Sequence, residues 1–377
     1  TLLRMGGAAL SARPRVPLWD TTRFVAITLV VIGHAIQRLI ADSDAALVAY
    51  LFIYAFHMPL FALISGYFSK PGPPNERRMQ RVITDIVIPY LIFESIWTAV
   101  QAIVEGNWTL NPTRPSWTLW FLLALGIFRL VLPYLALVRW PLLWAVLISV
   151  GVGYFDNVGA TFSLARALGI LPFFVLGWKL HEWGLVDRWR LAAPPTALVR
   201  SIAVLVLAAW LAVLIVFIDV WRDIELRYWF FYDESYTGLG VDEWWASLVR
   251  LALIGLAVLL SAAVLVLVPR RAVAVTPLGQ ATMYVYLLHS FVLYPIRESG
   301  VIGGDDRSGW PWLVGMIVAA IVITLALSTR PVRRAFRPLV EPRPRWLFRP
   351  DLDARTGPLL IQPSRTDPTG SRRDEPL

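Results

Sequence analysis

The sequence predicts an all-α polytopic membrane protein with about ten transmembrane helices and both termini in the cytoplasm. Three observations carry that expectation. Hydrophobic residues make up 57% of the 377-residue chain and charged residues only 16%, where soluble chains average about 25% charged. The apolar residues fall in runs that approach or reach the roughly 20 residues a helix needs to cross a bilayer. The segments between the runs alternate in charge, as expected when basic loops stay on the cytoplasmic side.

In chain order the runs lie at 22–41, 46–68, 82–103, 117–138, 140–155, 164–181, 198–218, 247–268, 280–296 and 311–329. The first follows Arg4, Arg13 and Arg15 and carries polar groups of its own, which predicts a retained helix rather than a cleaved signal peptide. The segments 69–81, 182–200 and 269–279 are basic, as is the chain after Arg330. The 42–45 segment is acidic, and 219–246 carries seven acids against Arg222 and Arg227. All basic segments share one side only if the helix count is even. The expected organisation is a cytoplasmic segment 1–21, a transmembrane domain 22–329, and a disordered Pro-rich tail 330–377 whose arginines lie against anionic headgroups.

Composition also excludes chemistry. The absence of cysteine removes disulfides, thiolate metal sites and any cysteine acyl intermediate. The net charge of +9 sits in loops on one side of the membrane, so it is not a nucleic-acid signal. No HxxxH spacing is present, and no metal site is expected.

Ionisable groups inside a bilayer are costly and mark functional sites. Arg23 and His34 lie eleven residues apart in RFVAITLVVIGH. Eleven steps of about 100° return to one helix face, and at about 1.5 Å per residue the two side chains lie roughly 16 Å apart along the axis. One stripe therefore carries a cation at the membrane edge and a titratable nitrogen near the middle. A long molecule with an anionic head, such as an acyl-CoA, fits those two points. His57, Glu94 and His289 share the depth of His34, about 14 to 18 Å from the cytoplasmic end of their helices, while His181 sits at the edge. Each of the three has two readings: a hydrogen-bonding group that locks helix packing, or a member of the reacting site. Asp20, three residues before Arg23, is placed to orient the guanidinium.

Arg77, Arg78 and Arg81 precede the third helix at the same edge as Arg23. They serve topology, phosphate binding, or both; arginine forks suit phosphates and the helix start favours anions. The 219–246 loop is rich in aromatic and acidic residues, including Trp229, Asp233, Glu234 and Trp244. It reads either as an interfacial aromatic belt or as a platform for a sugar acceptor.

Five blocks carry a family resemblance: WDTTRFVAITLVVIGH at 19–34, FHMPLFALISGYFSK at 56–70, RRMQRVITDIVIPYLIF at 77–93, WTLWFLLAL at 117–125 and MYVYLLHSFVL at 283–293. The chain resembles the integral-membrane acyltransferase family three, the group of bacterial O-antigen and Nod-factor O-acetyltransferases, and within it the fucose 4-O-acetylase-like branch. The resemblance implies a ten-helix fold in the inner membrane that uses cytoplasmic acyl-CoA as donor substrate, without a resident cofactor. It implies an envelope glycan or glycolipid as acceptor. The family's essential arginine and histidine fall on Arg23 and His34, and its acyl-donor RxxR pair on Arg78 and Arg81.

The expected function is therefore O-acyl transfer, acetyl above all, with His34 as general base and His57 or a backbone N–H stabilising the oxyanion. All but two of the 35 basic residues are arginine, a mark of a GC-rich genome, which adds mycolyl and trehalose glycolipids to the acceptors considered. The alternative is a proton-coupled transporter of a glycolipid or small polar solute, which midplane histidines also suit.

Overall fold

The computed structural model describes residues 15–73, 75–106, 108–302 and 309–348. Every regular element among them is helical. The longer helices are α1 (Pro17–Ile36), α2 (Asp44–Tyr54), α3 (His57–Tyr67), α4 (Glu76–Glu105), α5 (Trp120–Leu135), α6 (Pro141–Gly151), α7 (Leu164–Glu182), α8 (Ala197–Val216), α9 (Ala246–Leu267), α10 (Thr282–Glu298), α11 (Trp310–Leu327) and α12 (Arg330–Val340). Counting α2 and α3 as one, seven are long and apolar enough to cross a membrane. The helices α5, α6 and α10 coincide with the three remaining expected spans but are shorter.

Local chemistry sets the boundaries. Pro17 opens α1, where a missing N–H costs nothing. The Asn75 side chain caps α4 by accepting from the Arg78 N–H at 2.9 Å. Two prolines interrupt helices expected to be continuous. Pro59 cannot pack its ring against the carbonyl four residues back, and the 46–68 run breaks there, at Ala55–Phe56, leaving His57 at the head of α3. Pro89 has the same effect on α4, where a π-helical turn, Ile83–Val87, absorbs the missing bond.

The core is built around α1. It packs on α3, α10, α11 and the turn Thr276–Ala281, and α3 packs along α7. A Cβ on Gly66 would strike the Phe174 carbonyl, and one on Gly177 the Leu63 carbonyl, so the backbones of α3 and α7 are in direct contact. By contrast α8 and α11 keep most of their apolar surface exposed, as lipid-facing helices do.

Two contacts join loops of like charge. Arg270 Nη1 donates to the carbonyls of Ala192 and Ala193 at 3.1 Å, joining two basic segments. Arg222, in the acidic 219–246 segment, pairs with Asp44 of the 42–45 segment at 2.5 Å and donates to the Ile40 carbonyl at 2.9 Å.

The tail needs correction. Among the described residues, those up to Pro342 belong to one compact unit and 343–348 to a second. Arg330–Val340, expected to be disordered, is the helix α12. Its four arginines fall on one face, with Arg333 over the Tyr284 ring; Val340 is buried at its end, and Tyr284 donates to Glu341 at 3.0 Å just past it. In the second unit a short turn, Arg345–Leu347, is described. The tail from 349 and the N-terminal residues 1–14 lie outside the described residues.

Candidate active site

Two polar cavities are lined by the same four helices, α1, α3, α5 and α7. The first, about 350 Å³, takes His34 and Gln37 from α1, His57 from α3, Trp120 from α5, and Arg166 and Ile170 from α7. The second, about 790 Å³, takes Arg23 from α1, Ser65 from α3, Leu125 and Arg129 from α5, and Phe174 from α7. On α7 only four residues separate the two, a gap of roughly 6 Å. The stripe read from α1 is thus a line joining two chambers.

His57, which lines the first chamber, and His289, buried behind His34, have defined partners. His57 Nδ1 lies 2.9 Å from the Ile53 carbonyl. His289 Nδ1 lies 2.9 Å from the Val285 carbonyl and 2.8 Å from that of Tyr286. Carbonyls only accept, so both Nδ1 atoms carry the ring proton and both Nε2 atoms are lone pairs. A neutral His57 consequently has no proton to give an oxyanion, and the donor role considered for it does not fit this geometry. The His34 ring stands 5.3 Å from Trp117, 5.4 Å from His289 and 6.4 Å from Tyr54, centroid to centroid.

Glu94 takes a different place from the histidines. Its carboxylate accepts from Ser116 N at 2.9 Å and from Ser116 Oγ at 2.7 Å. The next residue, Trp117, has φ of +35°, a strained value for a tryptophan. Glu94 therefore holds the loop that carries Trp117, whose ring stands 5.3 Å from that of His34. The sequence grouped Glu94 with the histidines; its hydrogen-bond partner lies 22 residues on.

The second chamber gathers Arg23, Lys70, Arg77, Arg78, Arg81 and Arg129, with Asp85 as its acid. Arg23 lies 3.5 Å from Asp20, as its spacing predicted, and 4.6 Å over the Phe68 ring. Arg78 Nη1 is engaged by the carbonyls of Gly72 at 2.5 Å and Pro73 at 3.3 Å, so part of its role is to brace the loop carrying Lys70. Arg129 was not read from the sequence, where it looks like one charge inside an apolar run. Arg81 and Arg129 make no hydrogen bond and no ion pair at contact distance among the described residues, and Asp85 is the carboxylate whose charge reaches Arg129. If this chamber takes the acyl-CoA expected from the sequence, replacing either by alanine should weaken CoA binding by about 1.5–3 kcal/mol, roughly ten- to a hundredfold, with lysine recovering only part. Calorimetric titration of CoA into each purified variant checks this; unchanged dissociation constants would remove both from the donor site.

The family model described as "Acyltransferase domain" matches residues 17–329, from the first turn of α1 to just past the end of α11. The chain belongs to this acyltransferase family. Among curated relatives, the nodulation protein NolL of Mesorhizobium japonicum is 30% identical over 189 residues, 46% of this chain and 50% of that protein. The nodulation protein NolL of Sinorhizobium fredii is 25% identical over 237 residues, 58% of this chain and 61% of that protein. The chain thus spans about half to three-fifths of the length of these relatives. No solved structure matches it.

The residues suggested for the acceptor of this acyltransferase divide. Asp233 lines the histidine chamber, with Phe230 and Phe231, and pairs there with Arg166, which donates through Nε at 3.0 Å and through Nη2. Trp229 and Glu234 line a third cavity of about 960 Å³, with Trp210 and Trp221. Trp244 is 72% exposed and lines neither chamber. The loop folds through the short helices Ile218–Asp223 and Leu226–Trp229, so neighbours such as Asp233 and Glu234 turn to different cavities. Arg250, buried in α9, holds this course by donating to the carbonyls of Ser149 at 3.3 Å and Glu234 at 3.2 Å.

Proposed function

We propose that this acyltransferase moves an acyl group, acetyl above all, from acyl-CoA to a hydroxyl of an envelope glycan or glycolipid, in the inner membrane with the arginine chamber facing the cytoplasm. The observation that carries the reading is the pair of chambers on shared helices, one ringed by cations and one holding His34.

The arginine chamber binds the phosphates of the donor through Arg23, Arg81 and Arg129, with Arg78 fixing its loop. The pantetheine arm runs inward beside α1, over the roughly 16 Å between Arg23 and His34. The acceptor occupies the histidine chamber beside Asp233 and Arg166. His34 Nε2 takes the proton of the acceptor hydroxyl while its oxygen attacks the thioester carbonyl carbon. The carbon–sulfur bond breaks, and the departing thiolate takes the proton from His34. Acyl-CoA and alcohol thus become ester and CoA, with nothing left on the protein. The negative charge on the carbonyl oxygen falls to Arg114 or Arg166, the cations of the chamber wall.

The test uses protein in lipid nanodiscs with radiolabelled acetyl-CoA and an envelope extract from a deletion strain. Label should appear in a glycan or lipid product, and that product should be missing one acetyl group in the deletion strain. Label confined to acetyl-CoA and free acetate, with an unaltered envelope, would end the proposal and return the transporter reading.

A further inference from the structure

Two ring nitrogens beside the reacting site are buried without a hydrogen-bond partner: His34 Nδ1 and His289 Nε2. We propose that they serve each other, His34 donating from Nδ1 to the His289 Nε2 lone pair, and that His289 thereby fixes His34 in the tautomer whose Nε2 faces the chamber as a base.

The tautomer of His289 is set first. Its Nδ1 lies within hydrogen-bond distance of two carbonyls on its own helix, which can only accept. A neutral imidazole carries one proton, so the buried Nε2 is a lone pair and needs a donor. His289 is 0% exposed, so no bulk solvent supplies one.

The spacing of the rings fits a direct bond. Each nitrogen of an imidazole lies roughly 1.1 Å from its ring centre, so an N–H···N bond of about 3 Å puts the two centres roughly 5.2 Å apart. The centroids of His34 and His289 are 5.4 Å apart, at 39° between planes. At that spacing, a His34 ring turned with Nδ1 toward His289 Nε2 would make the bond. It also removes two unsatisfied buried polar atoms, each a cost that folded proteins seldom leave standing. Of the ring neighbours of His34, which are Tyr54, Trp117 and His289, His289 is the one already committed to presenting a lone pair.

The catalytic consequence rests on the acyl-transfer reading; the tautomer does not. With Nδ1 protonated toward His289, His34 Nε2 holds the lone pair that accepts the hydroxyl proton. When it does, the Nδ1–H···Nε2 bond becomes charge-assisted and stronger. His289 gains no proton and touches no substrate. It is a positioning residue, a neutral counterpart of the carboxylate that orients the histidine of a serine-protease triad.

The test is nitrogen-15 NMR of histidine-labelled protein, which has only four histidines, with the His34 signals assigned by their loss in His34→Gln. The wild type should show His34 as the Nδ1–H tautomer. His289→Phe should shift it to the Nε2–H form or to an average of the two. His289→Gln, whose side-chain oxygen still accepts, should keep the Nδ1–H form. Turnover should fall by about 10²–10⁴-fold in His289→Phe, with the dissociation constant for CoA unchanged and much of the rate restored in His289→Gln. A wild-type His34 in the Nε2–H form, or a tautomer indifferent to His289→Phe, would overturn the proposal; should the phenylalanine variant not fold, the wild-type spectrum alone decides. A tautomer that responds as expected in a protein that transfers no acyl group would uphold the pair and discard the acyl-transfer reading.

Discussion

His34→Gln should lower acyl transfer by about 10²–10⁴-fold, the usual contribution of a general base, while the protein still inserts and still binds CoA. His34 lines the histidine chamber, whereas the cations that would hold the donor line the other. Removing the base therefore leaves the donor site whole. Glutamine keeps the polarity and nearly the bulk of the imidazole, so the packing against Trp117 and Tyr54 changes little. The measurement is single-turnover transfer from acetyl-CoA beside a calorimetric CoA titration on the same preparation. Near-normal turnover would make His34 a packing residue and dismantle the mechanism. Loss of CoA binding along with turnover would instead show that the two chambers fold as one and cannot be separated by mutation.

Valine at Gly66 or Gly177 should leave no folded protein. Here the lesion is steric and remote from chemistry. Besides striking a carbonyl oxygen, a Cβ at Gly66 would stand 2.7 Å from the Phe174 carbonyl carbon, and one at Gly177 equally close to that of Leu63. Such contacts involve backbone, which cannot swing aside as a side chain does. Overpacking typically costs about 1–3 kcal/mol and more where relief is impossible, and a branched side chain makes relief harder still. The helices forced apart, α3 and α7, are two of the four that line both chambers. Alanine should be milder in yield but should already reduce turnover. Size-exclusion profiles and thermal melts in detergent check this; a monodisperse, active Gly177→Val protein would show that the close contact is dispensable.

Much of this architecture was legible without coordinates. Helix existence followed from runs of apolar residues, because a bilayer leaves the backbone no other way to satisfy its hydrogen bonds within one segment. Counting along a helix gives the spacing of Arg23 and His34 on one face, and the structure puts these two residues in different cavities. Two contacts, Arg222 with Asp44 and Arg270 with Ala192, join segments of like charge.

What counting could not supply was rotation and partnership. Depth is one coordinate of a helix, set locally at a fixed rise per residue; azimuth is set by what the helix packs against, and those neighbours are distant in the chain. Arg129 faces the arginine chamber, and Arg166 faces Asp233 67 residues on, because of how α5 and α7 rotate against α1 and α3. Glu94 turned to Ser116 rather than to the histidines. The acidic loop was divided between cavities by its turns, and the arginines after α11 lie on a helix whose last residue, Val340, is buried. The all-helical class, the seven helices among the described residues that are long and apolar enough to cross a membrane, and the Arg23–His34 spacing on one helix follow from residues near one another in the chain. Only the tertiary structure decided that His289 stands beside His34 and that the stripe joins two chambers, since both depend on packing between helices far apart in sequence.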